Sequence, residues 1–196
     1  LGYFIQPDQG PLCLKLERLR QTRHQRALVM VQRLQALGIN LSWNQVKKYL
    51  EGSVVGRPHI ARALVDIGCV RSIQEAFEMY LEKGRPAYVP RYKLSPQEAI
   101  TLIHQSKGAA VVAHPGLLPD LSYLIELLQL DWQGIEVFHP DHTEKTILAL
   151  RQMASERNLV PTGGSDYHGS SRKYHDLGTC VVNKNVIEAL KKMCRF

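Results

Sequence analysis

Hydrophobic and polar residues follow two different patterns along the chain. From about residue 12 to residue 106 apolar positions recur with helical spacing, whereas from residue 108 onward short apolar runs alternate with amphipathic segments. The first region predicts helices at residues 43–50, 58–67, 72–83 and 96–107. The second predicts strands at residues 109–113, 134–138, 158–162 and 179–183, with helices at 119–130, 143–157 and 186–194. Strands that alternate with helices indicate parallel βα units, in either an open doubly wound sheet or a barrel.

Polar residues at the helix ends of the first region support this division. Three pairs have the spacing of capping boxes, in which a serine hydroxyl and a later side chain satisfy free backbone donors: Ser42 with Gln45, Ser72 with Glu75, and Ser95 with Glu98. Glycines that favour helix stops follow at positions 52, 68, 84 and 108. We therefore predict a helical insert at residues 12–106, with the strand-forming parts at residues 1–11 and 107–196.

The first five residues, LGYFI, have the apolar and aromatic character of a strand, but no turn or capping residue precedes them. A strand at the first residue leads us to expect that further sequence stands upstream in the intact protein.

Composition narrows the class of protein. With 196 residues, 44% hydrophobic and 22% charged, the chain has the make-up of a soluble globular protein of one or two domains. No apolar run approaches the roughly 18 residues of a membrane span, and no signal peptide is evident, so we predict a cytoplasmic protein without a membrane partner. The four cysteines are scattered and predict buried or free thiols.

The net charge of +7 is concentrated near the start of the chain. One acidic residue, Glu17, stands among six basic ones: Lys15, Arg18, Arg20, Arg23, Arg26 and Arg33. This density favours an anionic partner such as phosphate or nucleic acid, although a solvated helix face is an equally simple explanation.

Histidine and aspartate residues follow three of the predicted strands. His114 comes after the first, His139 and His142 after the second, and Asp166 and His168 after the third. Because the carboxyl ends of parallel strands meet at one edge, these side chains are expected to converge there. Imidazole and carboxylate groups are ligands for Zn, Mn or Fe in hydrolytic sites, so His114, Asp166 and His168 are candidate metal ligands. Helix capping or packing is the alternative.

Four neighbouring residues have other candidate roles. His139 and His142 lie in an HPDH segment that also suits a turn, and contact with substrate or support of the ligands is favoured over direct ligation. Glu136 alternates with apolar neighbours in its strand and is expected to pair with an interior base. The sequence leaves the role of His175 open.

A basic segment at residues 56–64, GRPHIARAL, is a candidate phosphate site. Pro58 suits the first turn of a helix, so Arg57 and His59 would stand where free backbone donors already favour anions. Arg91 and Lys93, next to Tyr88 and Tyr92, could contact phosphate and base. A solvated helix start and an ordinary linker are the corresponding alternatives.

These segments together resemble the polymerase and histidinol phosphatase (PHP) superfamily. The resemblance is carried, in order, by GRPHIARAL, AYVPRYKLSP, AAVVAHPG, GIEVFHPDHT and TGGSDYHG, and it extends over nearly the whole chain. Within the superfamily these segments resemble small bacterial phosphoesterases that act on nucleotides and RNA 5′ ends.

The resemblance implies a distorted seven-stranded β/α barrel with a helical insert over the active site. It implies two or three divalent ions (Mn, Fe or Zn), with His114, Asp166 and His168 among their ligands and a metal-activated water rather than a side chain as nucleophile. Arg57 and His59 would touch the substrate phosphate. The chain departs from the family in lacking the opening His-x-His and several other ligands, which implies the carboxyl-terminal portion of such a barrel.

The leading hypothesis is therefore a metal-dependent phosphoesterase for nucleotides or short 5′-phosphorylated RNA, expected to be inactive as this chain alone. The substrate-binding residues predicted are Arg57, His59, Arg91, His139 and His142. A catalytically dead fragment that binds phosphate or RNA, and a metal hydrolase of amidohydrolase type, are the alternatives. No obligate protein partner is predicted.

Overall fold

The computed structural model describes residues 1–6, 10–50, 52, 54–168 and 175–194. The chain divides into two compact units. We call Leu1–Cys13 with Leu94–Phe196 the strand unit, and Leu14–Lys93 the helical unit. The predicted insert ended at residue 106, whereas the helix Pro96–Gln105 belongs to the strand unit.

Most elements follow one another along the chain in the order that the sequence predicts, and the long first helix, for which no bounds were predicted, precedes the others of the helical unit. Their bounds are β1 (Gly2–Tyr3), α1 (Pro11–Ala36), α2 (Trp43–Lys47), α3 (Arg57–Asp66), α4 (Ile73–Ala76) continued by a π-helical turn (Phe77–Leu81), α5 (Pro96–Gln105), β2 (Ala109–Val112), a 3-10 turn (Pro115–Leu117), α6 (Leu121–Leu127), β3 (Gly134–Phe138), α7 (Glu144–Glu156), β4 (Val160–Gly163) and α8 (Asn185–Met193).

A four-stranded sheet with the order β1-β2-β3-β4 organises the strand unit. β2, β3 and β4 are parallel, as the βα pattern predicts, with Val111 opposite Gly134 and Gly134 opposite Val160. β1 runs antiparallel to β2 and pairs Gly2 with Ala110. The result is a mixed α/β fold in which the ends of β2, β3 and β4 face the same way.

The strand predicted at residues 179–183 is wrong. Gly178 has a left-handed backbone (φ 88°), and the amide of Thr179 donates to the carbonyl of Asp176, which makes a turn here. Val181 is 74% exposed, so its side chain is not buried against a sheet.

Both faces of the sheet are covered by helices. Val112, Ile135 and Val137 pack with Leu124 of α6 and Leu150 of α7. On the other face, a second cluster contains Ala109, Val111, Val160, Leu190 and Cys194. Because β2 and most of β3 are buried on both sides, a polar side chain such as Glu136 needs a partner inside the fold.

The helical unit has a core of its own. Its largest fully buried side chains are Met30, Leu34, Leu41, Val46, Ile60, Leu64 and Leu81. The capping box of Ser42 with Gln45 is present, as is that of Ser95 with Glu98 in the strand unit. At Ser72 half of the box is present, because the Glu75 carboxylate accepts from the amide of Arg71 instead.

The helix predicted at residues 72–83 changes type midway. After Ala76 it becomes the π-helical turn, which closes where the amide of Glu82 donates to the carbonyl of Phe77 at 2.9 Å. Such turns recur at functional sites.

Among the described helices of both units, none is long and apolar enough to cross a membrane.

Candidate functional site

The loops after β2, β3 and β4 bring their histidine and aspartate residues together around His139. The His114 ring lies 5.7 Å from the His139 ring, measured between centroids. Nε2 of His139 lies 3.7 Å from Oδ2 of Asp166, and Nδ1 of His168 lies 3.5 Å from Oδ1 of Asp166. His114 and Asp166 therefore both lie beside His139, and His168 lies beside Asp166, at the end of the sheet where parallel strands finish.

Two of the predicted ligands stand on unusual backbone. His114 has φ 31° and ψ 53°, and Asp166 has φ 49°, both in the left-handed region that non-glycine residues rarely occupy. The amide of His114 donates to Oε2 of Glu136 at 2.7 Å. This bond satisfies a buried carboxylate and helps to hold His114 in its turn. Strained conformations of this kind concentrate at functional sites.

A backbone hydrogen bond sets the tautomer of His168. Nδ1 donates to the carbonyl of Asp166 at 2.6 Å, so that Nε2 carries the lone pair a metal would need. The Asp166 and His168 side chains are 23% and 58% exposed, so both are open to solvent ions.

The side chain of His139 is fully buried, which favours its neutral form. The amide of Asp141 donates to its Nδ1 at 3.1 Å, which places the ring proton on Nε2. Burial, the largest cause, lowers the pKa of His139 although the carboxylates of Glu136, Asp141 and Asp166 raise it. Within the described residues Nε2 has no hydrogen-bond partner. A buried donor is thus directed toward the carboxylate of a predicted metal ligand.

His142 has a different environment from His139. Its Nδ1 donates to the carbonyl of Val137 at 2.9 Å, and its Nε2 accepts from the amide of Gly116 at 3.2 Å. Both ring nitrogens therefore bind backbone in this conformation. Close packing enforces the contact, because a Cβ at Gly116 would lie 2.7 Å from Cδ2 of His142. The predicted substrate contacts of His139 and His142 stay predictions.

Asp141 and His175, to which the sequence analysis assigned no role in the site, also belong to this cluster. Asp141 follows β3, and His175 comes 34 residues later, yet its Nε2 lies 3.2 Å from Oδ1 of Asp141. His139, Asp141 and His175 offer ligand atoms that all lie within 4.8 Å of one another. The described residues thus contain a His/Asp group with the composition of a divalent metal site.

The GRPH segment begins α3 in the helical unit. Nδ1 of His59 accepts from the amide of Gly56 at 2.9 Å and so caps the helix. Arg57 donates through Nη1 to the carbonyl of Leu81 at 3.2 Å. Its guanidinium also lies 5.3 Å from the Phe77 ring and 6.0 Å from the Tyr88 ring. These contacts hold the guanidinium in one place.

Arg57 and His59 line a cavity of about 570 Å³ in the helical unit. The basic residues around it are Arg23, Arg26, Arg57, Arg91 and Lys93, and its described lining includes no carboxylate. Burial first, and then the charges of Arg57, Arg91 and Arg23, lower the pKa of Arg26. So many uncompensated cations favour an anion in the cavity. Its size is that of a small-molecule site.

These features define a class of protein. The sequence and the fold resemble those of PHP-type metal-dependent phosphoesterases, which are hydrolases. No family model matches the chain. The resemblance therefore rests on individual relatives and on a solved structure.

Two relatives are similar over most of the chain. A 3′,5′-nucleoside bisphosphate phosphatase of Chromobacterium violaceum is 33% identical over 184 residues, which is 91% of this chain and 65% of the relative. The 5′-3′ exoribonuclease Rnm of Escherichia coli is 30% identical over 173 residues, 86% of this chain and 59% of the relative. The chain thus spans less than two thirds of the length of either relative.

A solved structure is also similar to this chain. The crystal structure of a metal-dependent phosphoesterase of Bifidobacterium adolescentis superposes with a TM-score of 0.69 at 26% identity, covering 92% of this chain and 65% of the other. The mixed α/β fold is therefore similar to that of a phosphoesterase.

Proposed function

We propose that the chain is part of a metal-dependent phosphoesterase that hydrolyses phosphate esters of nucleotides or of short 5′-phosphorylated RNA. The observation that carries the proposal is that His114 and Asp166 both lie beside the buried His139, while His168 lies beside Asp166. The names of the two relatives support the choice of substrate. In the proposed intact fold, the four-stranded sheet is the carboxyl-terminal portion of a β/α barrel.

The residues at the strand ends fit a divalent ion. They supply imidazole and carboxylate donors, and His168 already directs its protonated nitrogen to a carbonyl, as metal-binding histidines usually do. The unpartnered Nε2–H of His139 can hydrogen-bond Asp166 and orient it as a ligand. When bound, the metal would polarise the phosphoryl group and supply hydroxide at neutral pH.

The helical unit supplies the proposed phosphate site. Arg57 binds the phosphate through a guanidinium that Leu81, Phe77 and Tyr88 hold in advance. The capping bond to Nδ1 leaves Nε2–H of His59 as a second donor. Arg91 adds positive charge to the same cavity. Guanidinium and imidazole donors held in this way can bind phosphate oxygens.

The number of metal ions is part of the proposal. A catalytic zinc takes three protein ligands, so His114, Asp166 and His168 suffice for about one ion, whereas a two-metal site needs more. We propose two or three ions of Mn, Fe or Zn in the intact enzyme, and no turnover by these 196 residues alone. A cytoplasmic location and the lack of an obligate protein partner stay predictions.

One experiment tests the function and the site together. The 196-residue chain and an upstream-extended chain are purified, and bound Mn, Fe and Zn and phosphate release from a nucleoside 3′,5′-bisphosphate are measured for both. The extended chain should turn over in a metal-dependent way, and Asp166→Asn or His168→Gln should abolish turnover. Asp66→Asn, which changes an exposed carboxylate of the helical unit, is the matched control.

The possible outcomes separate the alternatives. Turnover of the extended chain that is unaffected by Asp166→Asn would refute the site assignment. Equal metal content and equal turnover in the two chains would refute the expectation that further ligands are needed. Binding of phosphate or RNA without turnover in both would favour the binding fragment. Hydrolysis of an amide but not of a phosphate ester would favour the amidohydrolase type.

A further inference from the structure

The cluster of His139, Asp141 and His175 is not explained by the ligand set His114, Asp166 and His168. Asp141 lies in the turn after β3, while His175 approaches from beyond β4. The side chains of His139 and His175 are buried, and that of Asp141 is 46% exposed. An ion could therefore reach the cluster from the Asp141 side.

Hydrogen bonding fixes the tautomer of His175. Its Nδ1 lies 2.9 Å from the carbonyl oxygen of Ser165, which can only accept, so Nδ1 carries the proton. In a neutral ring, Nε2 then presents a lone pair toward Oδ1 of Asp141 at 3.2 Å. Two acceptors at this distance repel each other unless a positive charge lies between them.

The spacing of the two atoms suits a shared metal ion. In a tetrahedral site with bonds of roughly 2.0–2.2 Å, neighbouring ligand atoms stand about 3.3 Å apart. The Asp141 and His175 atoms already have nearly this separation. The bond from Nδ1 of His175 to a backbone carbonyl is also the usual support of a metal-binding histidine.

His139 offers the third donor. Its Nδ1 lies 4.0 Å from Oδ2 of Asp141, and its ring centroid lies 5.6 Å from that of His175. Ligation through Nδ1 would replace the hydrogen bond from the Asp141 amide, and a modest closing of the turn would complete the site. Three protein ligands with one open position are the arrangement of a catalytic type of zinc site.

We propose that His139, Asp141 and His175 bind a divalent transition-metal ion of the zinc class, at a site separate from the set of His114, Asp166 and His168. The ion takes two imidazole nitrogens and one carboxylate oxygen, donors that suit zinc and cobalt better than magnesium or calcium. This site does not depend on the proposed phosphoesterase activity. It predicts that the 196-residue chain retains a zinc ion without further ligands.

The test uses the 196-residue chain, freed of metal with a chelator and titrated with Zn²⁺. Bound zinc is counted after dialysis, and the affinity is measured by competition with a chelating dye. Asp141→Asn and His175→Gln should each weaken the binding of one zinc ion by about tenfold or more. His168→Gln, the matched control from the other ligand set, should leave this ion bound. Equal numbers of bound zinc ions in wild type, Asp141→Asn and His175→Gln would overturn the proposal. The positive charge between Asp141 and His175 would then be a proton on His175.

A spectroscopic measurement covers the case in which a variant does not fold. Co²⁺ added to the wild-type chain should give the visible bands of a tetrahedral ion with nitrogen and oxygen ligands, without thiolate charge-transfer absorption. Paramagnetic shifts should then affect the ring resonances of His139 and His175. Shifts confined to His114 and His168 would overturn the proposal but leave the proposed phosphoesterase function standing.

Discussion

The amide of His114 donates a hydrogen bond to the buried carboxylate of Glu136, at 2.7 Å from Oε2. This bond ties the loop after β2 to the middle of β3. The sequence led us to expect that Glu136 would pair with an interior base, whereas its hydrogen-bond partner among the described residues is a backbone amide. The carboxylate thus supports the turn from which a predicted metal ligand projects.

Replacing Glu136 should therefore destabilise the strand unit. Glu136→Leu leaves the His114 amide without an acceptor and should lower the free energy of unfolding by about 1–3 kcal/mol. Glu136→Gln keeps an acceptor oxygen and should cost less. Urea denaturation of both variants measures the difference. Equal losses would show that the hydrogen bond to His114 is not what Glu136 contributes.

Two glycine positions near the site offer a matched pair. A Cβ at Gly116 would lie 2.5 Å from Cγ2 of Thr146 and 2.7 Å from Cδ2 of His142, whereas at Gly164 the nearest atom is Oε1 of Glu136 at 3.8 Å. Gly116→Ala should cost about 1–3 kcal/mol through overpacking. Gly164→Ala should change stability by less than about 0.5 kcal/mol. Thermal unfolding of the two variants checks this, and equal melting temperatures would contradict the packing described here.

Arg57 should be poorly replaced by lysine. Arg57→Lys keeps the charge but loses the planar group that lies against Phe77 and Tyr88, and the fork that can grip a phosphate with two hydrogen bonds. Affinity for a nucleoside 3′,5′-bisphosphate should fall by about tenfold or more. Arg62→Lys, on the exposed side of α3, is the control and should bind like wild type. Unchanged binding by Arg57→Lys would remove Arg57 from the phosphate site.

The affinity for RNA should fall as the salt concentration rises, because the RNA phosphates are proposed to contact the basic residues of the same cavity. Each phosphate contact to a single strand contributes about 0.7 to the slope of log K against log salt concentration. Arg91→Gln removes a cation that lines the cavity and should reduce the slope by about that amount. Arg85→Gln removes an exposed cation outside the lining and should leave the slope nearly unchanged. Fluorescence titrations with a short 5′-phosphorylated RNA measure both, and identical slopes would place the RNA elsewhere.

The cysteines should differ in reactivity. Burial raises the pKa of the Cys194 thiol, so this residue holds less reactive thiolate at a given pH, whereas Cys13 is exposed. A thiol reagent at pH 8 should label Cys13 about tenfold or more faster than Cys194. Cys13→Ser should therefore remove the fast phase, and Cys194→Ser should preserve it. A fast phase that disappears only in Cys194→Ser would contradict the burial of the α8 core.

Local patterns in the sequence predicted much of the sheet and its edge. The predicted strand GIEVF coincides with β3, and the rule that parallel strands end at one edge fits the position of His114 and Asp166, which both lie beside His139. Their role as metal ligands, together with His168, stays a prediction. The contact of Asp141 with His175 could not be predicted in this way, because 34 residues separate them and no periodic pattern links them. The π-helical turn also lacks a residue signature, and the exposed Val181 shows that strand-like apolar residues need not form a strand.

The length of the π-helical turn affects the position of Arg57. Arg57 donates to the carbonyl of Leu81, the last residue of that turn, where helix carbonyls lack a partner within the helix. Deleting one residue from the turn would rotate everything after it by about 100° around the helix axis, because each residue of an α-helix turns it by that angle. Leu81 would then present its carbonyl in another direction and release the guanidinium. The direction of the Arg57 guanidinium thus depends on the number of residues in the turn. Substitution scanning does not test this dependence, because it keeps the chain length constant.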